Sequence, residues 1–170
     1  MIAGGLAIGA RPSHVRAVSD NPSSPDHADE LNAMLGGWNA AMGIHHVRAT
    51  RDEVVLEMTV GDVHRQPYGV VHGGVYAGLV ETACSVGAAL DARAHRMEAV
   101  GLENSTAFLA AVREGRLRVE AKPLSRGRRT QVWQATIHDE RGRAVASGRV
   151  RLLVIDPGIP LAGEPPKVER

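Results

Sequence analysis

The sequence predicts an α+β domain in which a single long helix is wrapped by a mainly antiparallel six-stranded sheet, and three observations carry that expectation. First, the stretch over 73–90 holds one charge, Glu81, among Gly, Ala, Val, Leu and other small or apolar residues. Second, on a wheel of about 100° per residue, Val75, Leu79, Ala83, Val86 and Leu90 share one face, while Gly74, Ala77, Gly78, Glu81, Cys84, Ser85 and Ala88 share the other. A surface helix would carry Lys, Arg and several Glu on that second face. The stretch therefore reads as a helix enclosed on all sides, its small face held close to another backbone. Third, six segments with strand patterning surround it, two before and four after, and a helix apolar all round is covered by six strands only if the sheet wraps it.

Taken in order, Pro25 and Asp26 open a short helix over 27–35, with acidic residues in its first turn and Gly36-Gly37 ending or bending it. Strands are predicted over 44–50 and 54–60, joined by a turn at Arg51-Asp52-Glu53. In the second, Val54, Leu56, Met58 and Val60 alternate with Val55, Glu57 and Thr59. Residues 61–72 contain Pro67 and Gly69 and form a loop into the long helix. Residues 91–96 are polar and connecting. Strands follow over 99–108, 117–124, 130–138 and 144–155, the last three joined as hairpins by the turns 125–129 and 139–143. The domain spans 26–156, between a Pro- and Ser-containing leader over 1–25 and a Pro-rich tail over 157–170.

Composition narrows the function. Lys and Arg number 20 against 19 Asp and Glu, so no global charge argues for nucleic acid or an anionic membrane. The single cysteine, Cys84, excludes an intramolecular disulfide and a multi-Cys metal site and suits a reducing cytoplasm. The long apolar stretch is short for a membrane span and carries Glu81 near its middle. The first ten residues hold no positive charge before their apolar run and make a poor signal peptide. His45 and His46 lie on a strand with neither metal-ligand spacing nor an acid partner, so they read as structural.

A lone carboxylate on an enclosed helix is costly to bury and points to function. Its context is Gln66-Pro-Tyr-Gly-Val-Val-His72-Gly73-Gly74, followed by Val80-Glu81-Thr82-Ala83-Cys84-Ser85. With these residues, and with its element order over about 30–155, the chain resembles the hotdog-fold acyl-CoA thioesterases. The branch it resembles contains the Arthrobacter-type 4-hydroxybenzoyl-CoA thioesterase, the phenylacetic-acid-pathway thioesterases and 1,4-dihydroxy-2-naphthoyl-CoA thioesterase. The resemblance implies that Glu81 is the catalytic carboxylate, acting as nucleophile or as base toward water. It implies that the Gly73 N–H polarises the thioester carbonyl, that Gln66 aligns the carbonyl or the attacking water, and that Ser85 stands near that water. It also implies a dimer of dimers, and coenzyme A as part of the substrate with no separate cofactor or metal.

The chemistry suits these residue types. A helix start supplies unpaired N–H donors for a developing oxyanion, and Gly73 and Gly74 let a substrate come up to the backbone. Ser85 lies one turn beyond Glu81 and can orient it or a water. His72 either fixes the loop or contacts substrate. Asn104 and Thr106 are candidates to line the acyl pocket from the sheet, and Tyr68, Tyr76 and Phe108 to stack an aryl group. Arg126, Arg128 and Arg129 form a basic turn, either solvated or holding coenzyme A phosphates. Gly73 and Glu81 are eight residues apart, roughly 12 Å along a helix, too far for one chain to bring both to one carbonyl. At least a homodimer with two shared sites is therefore expected, and the small helix face would permit its close approach. Two other readings remain at this stage: a hydratase or dehydratase of acyl thioesters, and an acyl-CoA-binding module without catalysis.

Overall fold

The computed structural model describes residues 24–164; most of the expected leader and the last residues of the expected tail lie outside them. Two short helices, α1 (Ala28–Ala33) and α2 (Gly37–Ala41), precede strands β1 (His45–Ala49) and β2 (Val54–Thr59). A 3-10 turn at Asp62–His64 leads to the long helix α3 (Gly73–Ala94), and β3 (Glu98–Phe108), β4 (Arg116–Arg126), β5 (Thr130–His138) and β6 (Ala144–Ile155) complete the chain. The six strands form one antiparallel sheet in the order β1-β2-β4-β5-β6-β3. The α+β expectation of a long helix against a six-stranded sheet holds.

Alternation builds the sheet's inner face. In β4, Leu117, Val119 and Ala121 are buried while Arg116 and Lys122 face solvent; in β5, Gln131, Trp133, Ala135 and Ile137 point inward. Against this face α3 lays Val75, Tyr76, Leu79, Val80, Ala83, Cys84, Gly87 and Ala88. The wheel reading is corrected here: Cys84 and Ala88 lie in the core, whereas Val86 and Leu90 are only partly buried. The sheet covers one side of α3. Ser85 and Thr82 stay half-exposed and Ala89 exposed, so the expected full enclosure is not met within one chain.

Three boundaries also move. Gly36 is extended and caps a separate helix, α2, that the two glycines had hidden. Helix α3 runs four residues past the predicted end, through Asp91 to Ala94, because buried Asp91 pays its desolvation cost through Arg51 and Gln131 rather than facing solvent. Chain reversal at Arg96 (φ 59) then closes it, with Met97 N–H returning to Ala92 O. Strand β4 continues to Arg126, which shortens the basic turn to 127–129.

Helix α3 carries the chain from β2 across the sheet to β3, which pairs only with β6 and is the sheet's far edge. A bulge between Gly101 and Glu103 reverses the parity of β3, so that Gly101, Asn104, Thr106 and Phe108 all come up against α3.

Candidate active site

The start of α3 is built by two histidines. Buried His64 accepts from Gly61 N–H through Nδ1 (2.7 Å) and reaches Met42 O through Nε2 (3.1 Å), so its ring fastens the loop to the end of α2. His72 N–H donates to His64 O (2.8 Å), and His72 itself is the N-cap: its Nδ1 accepts from Gly74 N–H (2.9 Å) and its carbonyl from Val75 N–H (2.9 Å). His72 thus fixes the loop, one of the two roles open to it. These bonds leave Gly73 N–H with no partner among the described residues. It is an oriented donor at the positive end of a 22-residue helix.

Gln66 sits on a tight turn held by Gln66 N–H to Val70 O (2.9 Å) and Gly69 N–H to Gln66 O (2.8 Å). Gly69 has φ +73, the left-handed region that the turn requires. The Gln66 side chain makes no hydrogen bond among the described residues, so its amide is available. Tyr68 is 82% exposed, its carbonyl held by Arg113 Nη1 (3.0 Å).

Glu81 lies two turns along α3, half-buried rather than sealed in the core. Both oxygens are held: Ser85 Oγ donates to Oε1 (2.9 Å), and Asn104 Nδ2 donates to Oε2 (2.9 Å) and to Ala77 O (3.1 Å). Thr106 Oγ1 donates to Asn104 Oδ1 (2.6 Å). No cation pairs with Glu81 among the described residues. Asn104, expected with Thr106 to line an acyl pocket, thus bonds the carboxylate, and Thr106 bonds Asn104.

Two aromatic rings flank this face of α3. Phe108 lies so close over Gly73 that a Cβ there would meet its ring at 2.6 Å, and its centroid is 5.9 Å from that of Tyr76. Trp38 of α2 lies over Gly78, where a Cβ would meet the indole at 2.4 Å, and Thr82 Oγ1 contacts Asn39 Oδ1 (3.2 Å) beside it. Trp38 is 43% exposed and Phe108 58%. Tyr76 is buried beneath, with no free face. Sequence reasoning missed Trp38 because α2 itself was missed; the signal was a Gly one turn before Glu81 and a single unassigned Trp.

The basic turn lies at the other end of α3. Arg126 pairs with Asp52 (2.9 Å) and Asp91 (3.7 Å) and stacks on Trp133 at 5.6 Å, so it is committed to structure. Arg128 and Arg129 are exposed without ion-pair partners among the described residues, and line an open cavity of about 910 Å³ with Arg51, Asp91 and Gln131. Cys84 is fully buried, and burial followed by the Glu81 charge pushes its thiol up to about 12, so it is an inert core residue.

One long helix laid along a six-stranded antiparallel sheet that covers only one of its sides places the chain in the class of hotdog-fold proteins, and its relatives are thioester-hydrolysing enzymes. The thioesterase superfamily model matches residues 68–146. The 1,4-dihydroxy-2-naphthoyl-CoA hydrolase of Escherichia coli is 35% identical over 128 residues, 75% of this chain and 93% of that protein. A solved thioesterase of Haemophilus influenzae superposes with a TM-score of 0.72 at 32% identity, covering 76% of this chain and 90% of its own. One from Pseudomonas aeruginosa gives 0.73 at 26% identity, covering 79% and 96%. The chain belongs to the thioesterase superfamily. Among the described residues, one helix meets the length and composition of a membrane span, and it is α3, the core helix of this fold.

Proposed function

We propose that the protein hydrolyses an aryl- or medium-chain acyl-CoA thioester to the free acid and coenzyme A. The observation that carries this reading is the unpaired Gly73 N–H at a capped helix start, on the same helix as a carboxylate held by two donors. In the proposed reaction, Gly73 N–H donates to the developing oxyanion, and such a fixed donor contributes about 3–4 kcal/mol to the transition state. Glu81 attacks the carbonyl or takes a proton from water, Ser85 holds its Oε1, and Gln66 aligns the carbonyl or the water.

Eight residues, roughly 12 Å of helix, separate Gly73 from Glu81. The half-exposed face of Gly78, Glu81, Thr82 and Ser85 and the largely exposed edge strand β3 both favour a second copy related by a two-fold axis. In that arrangement, Glu81 of one chain meets Gly73 and Gln66 of the other. Arg128 and Arg129, without ion-pair partners among the described residues where Arg126 is committed, are the cations for coenzyme A phosphates. A hydratase reading finds no support among the described residues, since His72 caps α3 and no histidine there bonds Glu81.

The test is thiol release from a panel of acyl-CoA substrates by wild type and Glu81→Gln. Glu81→Gln should lower kcat by about 100-fold or more with little change in KM. Near-normal turnover in that variant sinks the mechanism, and absence of thiol release by wild type across the panel favours a binding module. Mixed dimers of Glu81→Ala and Gln66→Ala chains should regain activity at one of their two sites.

A further inference from the structure

The β3 strand does more than bound the site. We infer that Asn104 and Thr106, together with the gap left by Gly101, act as a positioning unit that sets the orientation of the Glu81 carboxylate. The inference rests on the reading of Glu81 as the reacting group and adds residues that the motif around α3 does not contain.

The geometry fixes which way the Asn104 amide points. Its two neighbours on one side, Ala77 O at 3.1 Å and Glu81 Oε2 at 2.9 Å, can only accept, so the NH2 faces them. On the other side, Thr106 Oγ1 lies 2.6 Å from Oδ1 and donates its hydroxyl. A flipped amide would set Oδ1 against a carbonyl and a carboxylate and lose the Thr106 bond. Thr106 in turn has room because its cross-strand partner is Gly148, where a Cβ would stand 2.5 Å from Oγ1. The chain of bonds runs Thr106, Asn104, Glu81 Oε2, while Ser85 holds Oε1 from the helix.

Gly101 supplies the clearance. A Cβ there would lie 2.6 Å from Glu81 Oε1 and 3.5 Å from Cδ, so any side chain at 101 pushes the carboxylate off its two donors. The bulge after Gly101 is what lets this glycine and Asn104 face α3 together. An acyl-lining role for Asn104 would not require an amide tied at both ends. The amide that touches the carboxylate is exposed on its other face, so its removal leaves no buried polar group behind.

The experiment is a cycle on thiol release, with kcat and KM measured separately for wild type, Asn104→Ala, Glu81→Gln and the double variant. Asn104→Ala should lower kcat by about 10- to 100-fold, the range for a hydrogen bond to a charged group, with KM and Tm near wild type. In the Glu81→Gln background the same change should cost less than about threefold, because a residue acting through Glu81 has nothing left to orient. Gly101→Ala should fold normally, since only the end of a flexible side chain must move, and should lose kcat by a similar factor. Thr106→Val should lose part of it, and Thr106→Ser should restore it. Equal losses from Asn104→Ala in both backgrounds, or a rise in KM with kcat kept, would overturn the positioning role while leaving Glu81 in place. Full turnover in Glu81→Gln alone would remove both.

Discussion

Replacing Gly73 with Ala separates the stability of the helix start from its chemistry. The new Cβ would stand 2.6 and 2.7 Å from Cε2 and Cζ of Phe108, against an ordinary carbon contact of about 3.5–4.0 Å, so the ring must retreat by about 1 Å. Phe108 is 58% exposed on an edge strand, so its ring is not locked in the core. What it gives up is the tilted contact with Tyr76 at 5.9 Å, worth about 0.5–1.5 kcal/mol. Ala in place of Gly in a helix returns up to ~1 kcal/mol. These nearly cancel, and Tm should move by less than about 4 °C. Activity should not be spared, because the methyl and the displaced ring crowd the approach to Gly73 N–H. Loss of one oxyanion donor costs about 10²–10³ in kcat, and partial obstruction sets the expectation at about 30-fold or more in kcat/KM. Thiol release and a calorimetric scan on the same preparation decide it. An unchanged Tm with kcat/KM within about threefold of wild type would show that the carbonyl is held elsewhere.

Two further outcomes test the frame around the site. Gly87→Ala meets a ring that cannot retreat: its Cβ would lie 2.4 Å from Trp133, which is fully buried and held through Nε1 to Gln131 Oε1 (2.8 Å), itself bonded to Asp91. Overpacking costs about 1–3 kcal/mol, so Tm should fall by roughly 2–12 °C, and a scan with no change refutes the packing. His46 is buried, with Nε2 lacking a partner, and burial followed by the nearby His45 holds its pKa below the usual histidine range. The unfolded chain then takes up a proton near its ordinary value of about 6.5 that the folded chain refuses, so stability is lost as pH falls below that point. His46→Leu should flatten the fall of Tm between pH 7.5 and 5.5; an unaltered slope sinks the assignment.

What could be read from the residues alone was whatever depended on local pattern. Leu117, Val119 and Ala121 alternate with charged residues, and β4 lies where that alternation put it. His72-Gly73-Gly74 marked the start of α3 to the residue. The end of that helix was misjudged because Asp91 looks like a solvent residue until Arg51 and Gln131, 40 residues away on either side in sequence, close around it. Helix α2 was hidden because Gly36 and Gly37 read as a stop, whereas Gly36 serves as a cap. The Asn104 contact was out of reach for the same kind of reason. Without the bulge after Gly101, the parity of β3 would not bring Asn104 and Gly101 to one face.

Within one chain the second face of α3 is not closed off. Small residues on the second face were read as a sign that the helix is covered on every side, yet within one chain the face of Gly78, Thr82 and Ser85 is only half-covered, partly by Trp38. Gly78 is explained within one chain by Trp38, whose indole a Cβ would meet at 2.4 Å, but half-exposed Thr82 and exposed Ala89 could be Lys or Glu at little cost to a monomer. The absence of charge other than Glu81 is explained if a second helix lies across it. The same close approach would supply what one chain lacks, a carboxylate within reach of the unpaired Gly73 N–H. The stretch that folds the chain and the stretch that completes the proposed site are then the same 22 residues, with the sheet-facing side setting stability and the opposite side setting chemistry.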